Sequence, residues 1–224
     1  MPLRKKKNTN WKVGDVFAIP VSEKAGYMFG QIVFDIKSQY ASKGRRENED
    51  NYFSSFVGCV LIDVFDGLSA TKTFTDRPRL IKGIFTEDEC LEDKSWEIVT
   101  HVPINPKEVE FPDCLDNYSQ EIYLARGELY LKTDLTVRYA DEVVEVYPTM
   151  TVAIGIKDLA LNHMGFPDLI ERDFKPYLSD EDLRYKPLYR NQIYADLGED
   201  PKESYYDIAL KHGYDLARLY NQQT

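Results

Sequence analysis

The chain is poor in the residues from which reactive centres are usually assembled. Its three cysteines, Cys59, Cys90 and Cys114, are odd in number and widely spaced, with no Cys-x-x-Cys pair. That argues against a disulfide framework and for reduced thiols. Its three histidines, His101, His163 and His212, have no cysteine or histidine neighbour at ligand spacing, so no metal site and no cofactor are expected. The sequence has no GxxxxGK[ST] loop, no GxGxxG fingerprint, no GxSxG elbow and no HExxH helix, which lowers the expectation of an enzyme without removing it. Asp63 and Asp66 are the nearest approach to a carboxylate pair. Residues three apart on a strand fall on opposite faces, so they read as one solvent-facing and one turn aspartate. No apolar run approaches the roughly 18 residues of a membrane span. The basic start Arg4 to Lys7 runs into polar Asn8, Thr9 and Asn10 where a signal peptide needs an apolar segment, so a cytoplasmic protein is expected.

What the chain does have is an ordinary globular composition, 43% hydrophobic and 29% charged, with 16 tyrosines and 11 phenylalanines. Tyrosine is favoured in strands and at protein interfaces, so this richness suits a β protein that binds something. The net charge of −10 is uneven: residues 1–50 carry +4 and the remainder −14. An acidic body repels nucleic acid and attracts a basic partner.

The most structured signal lies in WKVGDVFAIPVSEKAGYMFGQIVF, Trp11 to Phe34. A Gly14-Asp15 turn, a short apolar run closed by Pro20, a polar loop and a longer alternating run predict a β-hairpin opening a small barrel or strongly bent sheet. In the second run Met28, Gly30, Ile32, Phe34 and Ile36 share one face, expected to be the core face, and Gly30 leaves room for a large aromatic, Trp11 being nearest.

Trp11, Gly14, Asp15, Phe17, Pro20, Gly26 and Gly30 give this opening a resemblance to the immunity protein 26 family of bacterial polymorphic toxin loci. The resemblance covers about the first 35 residues, and loosely the β-rich part to near Pro148. It implies a mostly β protein that binds and neutralises a cognate toxin, often a nuclease.

Further along, SQYASKGRRENEDNYFSS reads as a long exposed loop. FVGCVLIDVFDG, Phe56 to Gly67, reads as a central strand ended by an Asp-Gly turn. Strands are predicted near Arg79–Phe85 and Trp96–Val102, with TEDECLEDKS between them a one-turn helix or charged loop. EIYLARGELYLK and VRYADEVVEVYP are also strand-like, the first with a bulge or turn at Gly127. MTVAIGIKDLALNHMG begins as a strand and turns into a short helix, and short helices and loops follow. The closing helix is expected to start from Asp200-Pro201-Lys202-Glu203 and to present Tyr205, Ile208, Ala209, His212, Leu216, Leu219 and Tyr220 as one stripe.

The expected architecture is therefore mainly β (α+β): an N-terminal bent antiparallel sheet or SH3-like barrel with C-terminal helices packed on it. Residues 1–10 are expected to be a disordered basic terminus, 11–148 the β-rich domain and 149–224 an extension on that domain. Three functions follow. The first is an immunity protein with a basic toxin as partner, its contact patch in the long loop at Tyr40, Glu47, Glu49, Asp50, Tyr52 and Phe53. The second is a nucleic-acid-binding barrel using Trp11, Tyr27 and Phe29, which the acidic body disfavours. The third is an enzyme with an unfamiliar cleft.

Overall fold

The hairpin read from Trp11 to Phe34 forms. In the computed structural model, which describes residues 10–41, 53, 56, 58–137, 140, 153–170 and 182–220, strand β1 (Asp15–Ser22) pairs antiparallel with β2 (Gly26–Asp35). Gly14 and Gly26 bound β1 with φ of 96° and 77°, values that favour glycine. Opposite Gly30 sits Phe17, and a Cβ on Gly30 would meet Phe17 Cζ at 2.4 Å. Phe17 in turn stacks on Trp96 with centroids 4.8 Å apart. The aromatic that uses the Gly30 gap is thus Phe17, while Trp11 is buried elsewhere in the same cluster.

Strands β3 (Cys59–Phe65), β4 (Arg79–Glu87) and β5 (Glu97–His101) complete a five-stranded antiparallel sheet of order β4-β3-β2-β1-β5. Every residue of β3 is buried, as its continuous β-branched run requires. The acidic segment makes one turn of helix, α1 (Glu89–Glu92). β4 and β5 are separate edges, so the sheet is bent and does not close into a barrel.

Both faces of this sheet are covered, which departs from the single core face expected for β2. Met28 and Ile32 join Ile62 and Ile84 on one side with α2 (Ala153–His163), which contributes Ile156, Leu159 and Ala160. On the other, Phe34, Leu61 and Phe85 align across three strands and enter a second cluster with Phe53, Phe56 and Phe111. A bulge between Ile32 and Phe34 shifts the register, so Val33 and Phe34 both serve that second cluster. Strict alternation fails there because one strand has to line two cores.

A second, three-stranded sheet consists of β6 (Cys114–Tyr118), β7 (Glu121–Arg126) and β8 (Leu129–Lys132). β7 and β8 turn through Gly127 (φ 59°), so Leu115, Ile122, Leu124 and Leu129 share one buried face. Val137 and Ala140 are helical, which corrects the strand reading of that stretch where it is described; the remainder of 141–148 lies outside the described residues. The expected strand start of 150–152 is outside them too, and helix begins at Ala153.

Helices α3 (Pro187–Asp196), α4 (Tyr205–Lys211) and α5 (Ala217–Tyr220) close the chain. The expected cap is displaced by one turn. Asp200 accepts from Lys202 N in a local turn, and Ser204 caps α4 by accepting from Asp207 N while its hydroxyl donates to Asp207 Oδ2. Gly213 (φ 83°) ends the helix instead of merely weakening it. Tyr205, Ile208, Ala209, Leu216 and Leu219 are buried as the stripe predicts. His212 leaves the stripe and pairs with Glu199 at 2.8 Å.

Candidate partner-binding surface

Arg126 falls in the inward phase of β7 with Ile122 and Leu124, and it is 2% exposed. A buried guanidinium survives only when its donors are matched. Arg126 Nη2 donates to Glu110 Oε2 (2.6 Å) and Nη1 to Tyr194 Oη (3.1 Å), while Nε lies 3.0 Å from Asp113 Oδ1. The other Asp113 oxygen accepts from Arg190 Nε (2.5 Å) and from the Tyr194 hydroxyl (3.0 Å). Burial alone would lift the Asp113 carboxyl, but Arg126, Arg190 and Arg184 outweigh it and hold it below the usual carboxylate range. Asp113 N donates to Asp182, Asp182 accepts the fork of Arg184, and Arg184 Nη2 reaches Gly83 O (2.9 Å) in the first sheet. Buried Glu128 is met by Arg218 (Nη1 to Oε2, 2.7 Å), and Glu128 N donates to Tyr205 Oη (2.9 Å). This lattice fixes the second sheet against the first and against α3, α4 and α5.

On the opposite face of the second sheet, Cys114 and Ala125 are buried at one end, and the rest forms a ledge of half-buried and exposed side chains. Cross-strand pairing puts Asp116 opposite Tyr123, Tyr118 opposite Glu121, and Tyr123 opposite Lys132. The rings of Tyr123 and Tyr130 stack at 4.4 Å with a 10° interplanar angle. Tyr123 Oη donates to Glu121 Oε2 (2.7 Å) and Tyr130 Oη to Asp116 Oδ2 (2.8 Å). The bond to Glu121 raises the Tyr123 pKa, and Lys132 with Tyr123 lowers that of Glu121. Tyr118 stands 55% exposed at the rim. The hairpin tip beside it, Ser119-Gln120, has φ of 53° and 69°, a primed turn that Asn-Gly adopts with less strain. Replacing the pair by Ser119→Asn and Gln120→Gly is expected to raise stability by about 1 kcal/mol; an unchanged denaturant midpoint would refute it.

Of the loop patch expected to meet a partner, Tyr40 and Phe53 lie among the described residues. Tyr40 and Phe53 are buried in the core, their rings 4.9 Å apart, and Phe53 also packs on Phe34. Glu47, Glu49, Asp50 and Tyr52 lie outside the described residues. The π-helical turn Ile36–Ala41 carries Tyr40 inward, so two aromatics read as contacts are structural.

The hairpin residues also have structural places. Lys12 N donates to Asp15 Oδ2 (2.9 Å), closing the Gly14 turn, and Asp15 Oδ1 holds His101 Nδ1 at 2.9 Å. Pro20 marks a bulge, and a Cβ on Gly26 would strike Ser69 O at 2.1 Å. Two of the three stacking residues of the nucleic-acid reading are closed off: Trp11 and Phe29 are buried, Phe29 under Phe74 and Arg77, while Tyr27 is half-buried with Lys72 over its ring. Asp63 is not solvent-facing, since it accepts from Gly83 N (2.8 Å) and pairs with Arg79 at 2.6 Å. Among the described residues, no group of three or more His, Cys, Asp or Glu could hold a metal ion, and no helix is long and apolar enough to cross a membrane.

Residues 12–116 match the family model described as Immunity protein 26. That segment is similar to the immunity protein 26 family. None of the curated proteins or solved structures compared matches the chain. The matched segment takes in the whole first sheet and ends inside β6. Most of the tyrosine face, and the α3 to α5 partners of the charge lattice, therefore follow it in the chain. Sequence reasoning missed β6 and the ledge. The available signals were Arg126 in an inward phase, and tyrosines alternating with apolar residues through NYSQEIYLARGELYLK.

Proposed function

We propose that the protein neutralises a cognate toxin by binding it one to one in the cytoplasm, without transforming a substrate. The match of residues 12–116 to a family of immunity proteins carries this reading. The chain's charge supports it, since a body of −14 beyond residue 50 speeds encounter with a basic protein. A nuclease suits that partner class, because a protein that grips phosphates presents lysine and arginine which an acidic surface can cover. The test is co-expression with the toxin domain encoded beside this gene, followed by colony survival and titration calorimetry of the purified pair. Survival together with a stable one-to-one complex is expected. Death of the cells with no complex formed would refute the proposal.

A further inference from the structure

We infer that the outer face of the second sheet is the toxin-docking surface, and that its occupant is a basic segment of the toxin that lays a lysine or arginine across the tyrosine rings. The inference rests on the toxin-binding reading above and adds the surface and the chemistry of its partner.

The combination of residues is the reason. Tyr118 is exposed and Tyr123 and Tyr130 are half-buried on a strand scaffold, the last two fixed by their stack and hydroxyl bonds. Little side-chain freedom is left to lose on binding. Asp116 and Glu121 lie among the rings with Lys132 the single cation of the six, so the face is net negative within an acidic chain. A carboxylate has room for about four hydrogen bonds, and Asp116 takes one from Tyr130, which leaves capacity for an incoming cation. A guanidinium or ammonium over a tyrosine face gains cation–π attraction, and beside a carboxylate it gains a charge-assisted bond as well. Leu188 at 83%, Leu210 at 50%, and Tyr189 and Phe166 at 41% are exposed as well, but the first two are aliphatic, and among the described residues neither aromatic belongs to a stacked ring pair like Tyr123 and Tyr130. Tyrosine is the residue type enriched at binding hot spots, while leucine is under-represented there.

The test uses the full chain and a catalytically inactive form of the toxin domain encoded beside the gene. Tyr118→Ala should weaken the complex by about thirty-fold or more, and Tyr118→Arg further, by placing a like charge against the partner. Asp116→Asn with Glu121→Gln should slow association, most at low salt. Leu188→Ala should bind as wild type, and thermal melts of each variant separate lost contact from lost fold. If wild type binds and protects but both Tyr118 variants stay within about three-fold of it, the surface is wrong and the function stands. If Tyr118→Ala weakens binding while the carboxylate changes and salt leave association alone, the partner is not basic. Sedimentation showing a dimer that Tyr118→Arg dissolves would identify a second copy as the occupant and overturn the inference. If wild type neither binds nor protects, function and surface fall together.

Discussion

Arg126→Ala should destabilise the protein by about 3–5 kcal/mol, the cost of removing one partner from a buried ion pair. The change leaves Asp113 fully buried beside an empty volume and takes a donor from both Glu110 and Tyr194. Its pH dependence separates an electrostatic loss from a packing loss. With the guanidinium present, the Asp113 carboxyl is held below its ordinary pKa. A depressed carboxylate adds stability that is complete above the unfolded value of about 4 and disappears as pH falls through the folded one. The gap between wild type and Arg126→Ala should therefore be widest near pH 7 and narrow below about pH 4. Urea unfolding at both pH values measures it; an equal gap would mean that the loss is one of volume.

For Gly83→Ala the expected loss is about 3 kcal/mol, and it arises in the backbone. Gly83 has φ of 62°, and an added Cβ would lie 2.0 Å from the Glu110 carbonyl oxygen. An alanine costs about 1–2 kcal/mol in the left-handed region, and overpacking adds about 1–3 kcal/mol. The neighbour is main chain, which cannot rotate away, and it belongs to the connection that supplies Glu110 and Asp113 to the charge lattice. Gly198→Ala is the control: its φ is 74°, but nothing lies within 4 Å of the added carbon, so about 1 kcal/mol is expected. Chemical denaturation of the two variants that gave equal losses would remove the steric part of the explanation.

The legible parts of the fold share a short range. The Gly14-Asp15 and Asp66-Gly67 turns, the buried run of β3, the one-turn helix at Glu89–Glu92 and the hairpin about Gly127 each depend on residues within a few positions of one another. The failures each have a competitor. Asp200 is a plausible cap, but its side chain is already engaged by Lys202 N, and Ser204 with Asp207 makes a complete reciprocal cap one turn later. Tyr40 reads as exposed because its neighbours are polar, yet a π-helical turn carries it against Phe53. Asp63 reads as solvent-facing by alternation, yet the bulge at Gly83 needs an acceptor there.

By itself the sequence determined the strand-rich class, the hairpin that carries the family resemblance and the negative net charge, because alternation, turn chemistry and charge are local or additive properties. Only the tertiary structure decided which polar groups went inside and which aromatics stayed out. Arg126 is tolerable in the core because Glu110, Asp113 and Tyr194 converge on it, the last from 68 positions away. Tyr118 stays exposed while Tyr123 and Tyr130 are half-buried on the same face, because the core reaches that face at Cys114 and Ala125 and leaves its far end uncovered among the described residues. Burial is a property of converging segments, and no window along the chain contains all of them.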